Sequence, residues 1–212
     1  MPRPASRVLA AERTIPVVAR GPDRQRDVVR LPNRLEHRLS SAARSHPPGQ
    51  VSRAVAIVAS PWLITLEGLA LATALRASGR PSLPVAVAAP LALTSGKVLK
   101  RIVARPRPGR KRFGRMGRQS FPSTHVAGPV ALLACLACIA PPTPGWRTLL
   151  AIGGGTAIIV GIERVCAGAH WASDVVGGAA FGALVGTVLG WLARTDASGD
   201  RAPEQDGGMS SL

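Results

Sequence analysis

Two histidines, one carboxylate and a set of spaced cations in this chain are the parts needed to hydrolyse a phosphate ester. Pro122-Ser123-Thr124-His125 opens one apolar stretch. Arg164, five further residues, then His170 and Asp174 open another. A third cluster, Lys100 to Arg107-Pro108, lies just upstream. Cations can hold a phosphate, one imidazole can attack phosphorus, a carboxylate can steady that imidazole, and the second imidazole can protonate the leaving oxygen. The set calls for no metal and no other cofactor.

Each motif has an ordinary reading of its own. His170 and Asp174 are four residues apart at the start of a helix, so they share a face. A carboxylate that takes one ring N–H fixes the tautomer and frees the other nitrogen to attack. A lone His-x-x-x-Asp pair is most often a helix-surface contact; Arg164 and the other two clusters shift the balance here. At the second motif, Pro122 favours an extended entry and Ser123 is expected to cap the helix. The free N–H groups of that helix start form an anion site, and His125 on the first turn can donate a proton. Lys100, Arg107 and Arg164 would surround the non-bridging oxygens, the arginines as planar forks and the lysine as a point charge. The neighbouring Lys97, Arg101, Arg105, Arg110, Lys111, Arg112, Arg115 and Arg118 are expected to face lipid headgroups.

Those motifs need helices to hold them. The chain has 212 residues, a formal charge of +16 and yet a positive mean hydropathy, so charge and apolar residues must be segregated. Long Ala/Val/Leu/Ile/Gly runs alternate with Arg- and Pro-rich stretches, the pattern of an all-α polytopic membrane bundle with about five transmembrane helices. Tyr is absent and Phe scarce, which removes the stacking platforms of a single-strand nucleic-acid binder. The expected spans are 54–75, 82–103, 123–140, 148–165 and 171–193, together forming a membrane-embedded domain over 51–194. Residues 1–32 read as a disordered basic segment, 33–50 as an amphipathic interfacial segment, and 195–212 as a flexible polar tail. No signal peptide is expected, because the first fifty residues hold no apolar core with a cleavage site.

Several features favour plain packing. Cys135 and Cys138 sit in an apolar run without a second pair to complete a zinc site, so they read as small buried hydrophobes. Gly178, Gly182, Gly186 and Gly190 recur every fourth residue and leave a groove on one helix face. Packing within the bundle is the first use of such a groove, and dimerisation the second. Glu67 lies inside the first span and is left out of the site.

Span counting adds an independent constraint. Each crossing switches sides, so the three clusters fall on one membrane face, and so does the amino-terminal segment. That face carries Arg34, Arg38, Arg44, Arg53, the basic residues from Lys97 to Arg118, and Arg164. The other has Arg76, Arg80, Arg147 and the tail's Arg194 and Arg201. The positive-inside bias therefore puts the clusters on the cytoplasmic face of a cell membrane.

Taken together, the three motifs resemble the type-2 phosphatidic acid phosphatase superfamily, which includes lipid phosphate phosphatases and vanadium haloperoxidases. Its pattern is Lys-x6-Arg-Pro, Pro-Ser-Gly-His, then Ser-Arg-x5-His-x3-Asp. Lys100 to Arg107-Pro108 fits the first, Pro122 to His125 the second with Thr124 for Gly, and Arg164, His170 and Asp174 the third with Glu163 for Ser. The resemblance covers roughly 51–193. It implies His170 as a nucleophile that forms a phosphohistidine, Asp174 as its partner and His125 as general acid. It also implies Lys100, Arg107, Ser123, Arg164 and the Thr124 backbone N–H as phosphate ligands. Thr124 would narrow the pocket, and Glu163 puts a negative charge beside a phosphate-binding arginine. The family commonly has six spans, where five are counted here. The expected substrate is a lipid or polyprenyl-linked phosphate in the bilayer. The competing readings are a vanadate-dependent haloperoxidase using the same pocket and a non-catalytic membrane protein whose basic face binds anions.

Overall fold

The computed structural model describes residues 34–44, 50, 54, 57, 58, 60–108 and 119–199. The segment 1–32 expected to be disordered lies outside the described residues, as do Arg110, Lys111, Arg112, Arg115 and Arg118 of the basic run. Six α-helices are described: α1 Arg34–Arg44, α2 Pro61–Ala77, α3 Leu83–Val103, α4 Thr124–Ile139, α5 Pro144–Cys166 and α6 Ala172–Gly199. The fold class is all-α, as the sequence indicates.

Proline and glycine punctuate these helices. Proline occupies the first turn of α2, α3 and α5, where its missing N–H costs nothing. α2 ends at Ser78-Gly79 with Gly79 left-handed at φ 67°, and α4 ends before Pro141-Pro142. Pro90 and Pro129 lie inside α3 and α4 without breaking them, which membrane helices tolerate.

Three helices are long and apolar enough to cross a membrane by length and composition: Leu83–Val103, Pro144–Cys166 and Ala172–Thr195. α4 is apolar but has 16 residues. The first expected span is shorter and more polar than expected: α2 has 17 residues and carries Glu67 and Arg76. The count of five therefore becomes three full-length spans, one short apolar helix and α2. At the other end, α6 continues to Gly199, past the point where a flexible tail was expected. Large apolar side chains such as Trp62, Leu83, Ile102, Ile158, Val176 and Leu184 project outward from the bundle. An outer surface of this kind belongs to a multi-pass membrane protein.

The interior is built from small residues. Ala72, Ala88, Ala89, Cys135 and Ala193 pack with Ile64, Leu75, Val85, Leu93, Leu132 and Leu136 in one cluster. All three cysteines are free, and Cys135 is buried in that cluster. Glu67 lines an apolar cavity of about 200 Å³ between α2, α4 and α5. The closest helix pair is α4 with α6. A Cβ at Gly178, Gly182 or Gly186 would fall within 3.0 Å of backbone oxygens of Ser123, Ala127 or Ala131. The glycine groove is thus filled by α4, which corrects the dimerisation use: this face is not available to a second chain.

That approach can be tested by adding volume. Gly186→Val should cost more than the ~1–3 kcal/mol typical of overpacking, because the new atoms meet backbone rather than a movable side chain. Thermal unfolding in detergent should fall by several degrees or the folded yield should vanish, whereas Gly154→Val, with open space around it, should melt like the parent. Equal melting of both variants would contradict the packing.

Candidate functional site

The spacing from Arg164 to His170 is the geometry of a helix ending. α5 closes in a Schellman motif: Ala169 N–H donates to Arg164 O at 3.0 Å and Gly168 N–H to Val165 O at 2.9 Å, with Gly168 left-handed at φ 68°. His170 N–H also donates to Arg164 O, at 3.2 Å. The turn folds the chain back so that His170 comes alongside the last turn of α5. Glycine at 168 is what permits it.

α6 then starts with a side-chain cap. Asp174 Oδ2 accepts the Trp171 N–H at 2.8 Å, the carboxylate half of a capping box. The same oxygen lies 3.7 Å from His170 Nδ1, beyond hydrogen-bond reach. Asp174 Oδ1 accepts Arg105 Nη1 at 2.8 Å. Asp174 is completely buried, and His170 nearly so. Burial pushes the His170 imidazole below its ordinary value, with Lys100 and Arg107 acting in the same direction and Asp174 opposing them. The ring is therefore neutral at physiological pH, with a lone pair available.

α4 is tied to this corner through its backbone: Ser123 N–H donates to Asp174 O at 2.9 Å. The His125 and His170 ring centroids are 6.5 Å apart at 63°. Ser123 stands at the N-cap position, but its hydroxyl makes no capping hydrogen bond, contrary to expectation. Instead Ser123 Oγ is buried without a partner, as are His125 Nδ1 and His170 Nδ1. Thr124 does not narrow the centre with its methyl, because Cγ2 packs toward Gly96 of α3.

The cations arrive from three directions. Lys100, in the last turn of α3, donates from Nζ to Ser120 O at 3.1 Å. Arg107 donates from Nη1 to Ala169 O at 2.8 Å, just before His170. Lys100, Arg107, Arg164 and His170 are all near enough to His125 to act on its charge. Glu163, the departure from the family's Ser, is buried and pairs with the Nε of Arg164 itself. The structure therefore brings His125, His170, Asp174, Lys100, Arg107, Ser123, Thr124 and Arg164 to one end of the bundle. Among the described residues, no group of three or more His, Cys, Asp or Glu side chains is arranged to hold a metal ion.

One expectation fails clearly. Arg105, assigned to lipid headgroups, is buried and forms ion pairs with Asp174 and Glu36. Its guanidinium also stands over the Trp171 ring, 5.6 Å from the centroid. Pro106 and Pro108 hold this stretch extended, so residues 105 and 107 project differently from residues one helical turn apart. That Pro-spaced Arg-Pro-Arg-Pro run was the available signal. Lys97 and Arg101 are exposed, in keeping with the expectation for the rest of the run. Glu36 and Trp171 were also missed. Trp171 Nε1 donates to Pro106 O at 2.9 Å and meets the His37 ring edge-on at 4.9 Å.

Comparison with known proteins gives this geometry a family. No curated protein matches the chain. Among solved structures, the chain is similar to the crystal structure of the first transmembrane PAP2 type phosphatidylglycerolphosphate phosphatase from Bacillus subtilis. The two are 20% identical with a TM-score of 0.62, over 82% of this chain and 88% of that one. Residues 81–196, which contain all three motifs, match the PAP2 superfamily, and the chain belongs to that superfamily.

Proposed function

We propose that the protein is an integral-membrane, metal-independent phosphatase acting on a lipid or polyprenyl-linked phosphate through a phosphohistidine. One observation carries the reading. Two buried polar atoms, Ser123 Oγ and His125 Nδ1, lack partners at the spot where Lys100, Arg107 and Arg164 converge. Buried polar groups are normally paired, so this constellation is built around a group that the polypeptide does not supply. A phosphate has both the charge and the acceptor oxygens to fill it.

The chemistry follows from the positions. Asp174 sits on the Nδ1 side of His170, which leaves Nε2 to attack phosphorus. As the N–P bond forms, the P–O bond to the lipid breaks, and His125, held as imidazolium by the negative charge of the bound phosphate, gives its proton to the departing oxygen. A water then attacks phosphorus, gives its proton to His125 and displaces His170, releasing phosphate. The two rings, 6.5 Å apart between centroids, are close enough to serve one phosphoryl group. Lys100, Arg107, Arg164, Ser123 and the Thr124 N–H stabilise the charge on its equatorial oxygens. Glu163 anchors one side of Arg164 and leaves the terminal nitrogens for phosphate. The named activity of the Bacillus subtilis protein agrees with a phospholipid monoester as substrate.

The proposed active face is cytoplasmic. α1, with its arginines, lies at the same end of the bundle as the motifs, since Glu36 touches Arg105 and Ser173. The positive-inside bias of that end supports the assignment. The outward apolar surface favours a membrane enzyme over a haloperoxidase in solution.

Phosphate release from a panel of lipid phosphates in detergent should persist with excess chelator. His170→Ala should lower kcat by about 10³-fold or more and Asp174→Ala by about 10²–10⁴-fold, while Arg112→Ala stays within about twofold. Activity that needs an added divalent ion, or that survives His170→Ala, would remove the mechanism. In the free protein, ¹⁵N spectra should show the His170 ring titrating below the ordinary value of about 6.5, so that its nucleophilic form is lost only as pH falls through that lower point. A midpoint above 7 would contradict the burial argument. For sidedness, a cysteine introduced at the exposed Ser41, with the native cysteines replaced, should resist an impermeant reagent in intact cells. Ready labelling there would reverse the cytoplasmic assignment.

A further inference from the structure

Glu36 lies in α1, far outside residues 81–196 that match the superfamily, yet it reaches the innermost carboxylate of the site through one arginine. Its Oε2 accepts Arg105 Nη2 at 2.9 Å. Its Oε1 accepts the Ser173 backbone N–H at 3.2 Å and the Ser173 hydroxyl. Arg105 in turn gives Nη1 to Asp174 Oδ1 at 2.8 Å and to Ser173 Oγ at 2.6 Å. Glu36 and Arg105 are each only 8% exposed.

We infer that Glu36 is a positioning residue for the reaction: it holds Arg105 and the first turn of α6 so that the Asp174 carboxylate stays aimed at His170. The inference rests on the phosphohistidine reading above. A guanidinium is planar, and here its two terminal nitrogens are taken by carboxylates from different parts of the chain. It cannot rotate about its long axis without breaking one of those pairs. Fixing Arg105 fixes Oδ1 of Asp174, and that orients Oδ2 toward the Trp171 N–H and His170 Nδ1. Glu36 adds a second hold on the same helix start, because the Ser173 N–H is one of the donors α6 leaves unpaired. A bare ion pair sealing α1 to the bundle would need only Arg105. The simultaneous grip on Ser173 places the carboxylate in the frame of the residue next to Asp174.

The test is Glu36→Gln, which keeps the size and one acceptor oxygen but removes the charge. Phosphate release should show kcat reduced about tenfold with KM within about twofold, because Glu36 acts through Asp174 and not on bound substrate. The ¹⁵N histidine spectrum of the free protein should show a smaller Nδ1–H tautomer population for His170, a change that a merely structural contact would not produce. Should Glu36→Gln fail to fold, Ser173→Ala removes the hydroxyl link and should lower kcat about threefold, again with KM unchanged. Parent-like kcat and tautomer ratio in a folded, active background would overturn the inference. A parent protein without phosphatase activity would instead overturn the reading on which it rests.

Discussion

The site depends on one buried carboxylate. Asp174 is completely enclosed, and each of its acceptors is assigned to a different part of the chain. Oδ1 takes Arg105, Oδ2 takes the Trp171 N–H and faces His170, and the backbone carbonyl takes the Ser123 N–H. The first motif, the start of α4, the loop after α5 and the start of α6 therefore share one anchor. A carboxylate in such a place is tolerated only while its partners stay, since removing one side of a buried pair costs about 3–5 kcal/mol. The arrangement enforces itself: displacing any one segment exposes the others to that penalty.

What lets Asp174 and Ser123 meet is the absence of side chains one turn further along. Gly178 has no Cβ, so the backbone of Ser123 can come within hydrogen-bond distance of Asp174. Gly182 and Gly186 continue the contact down α4 and fix its register against α6. In lipid there is little hydrophobic drive between apolar helices, and close approach of small residues supplies the packing instead. The register of the glycine face thus decides whether the two histidine-bearing motifs coincide. Packing and chemistry share the same four-residue period.

Much of this was legible in sequence, and what was not has a physical reason. The three spaced motifs and the helical runs between them can be read directly, because periodicity and turn residues are local. Span lengths were read less well at α2, where Glu67 and Arg76 interrupt the apolar run. Ser123 was assigned a capping hydroxyl on local grounds, but its Oγ has no partner on the helix, a difference no local rule records. Arg105 was hidden by its company: in a run of arginines, charge alone does not say which one is buried. Glu36 was hidden by distance, since its partner Ser173 is 137 residues away. Only the fold makes that pair.

Helix direction explains why the cations sit where they do. Antiparallel helices bring both kinds of terminus to each end of a bundle, and only amino termini favour an anion. At this end the amino termini are those of α4 and α6, carrying Thr124, His125 and Asp174. The carboxy termini are those of α3 and α5, whose last-turn carbonyls would repel a phosphate. Those last turns are where Lys100 and Arg164 occur. Each cation offsets the unfavourable dipole end of its own helix. Arg107 does the same for a buried carbonyl, that of Ala169 beside His170. An anion site at the end of an antiparallel bundle needs both devices, free N–H groups where helices begin and basic side chains where they end. On the proposed function, the alternation of the three motifs along the sequence follows from that need.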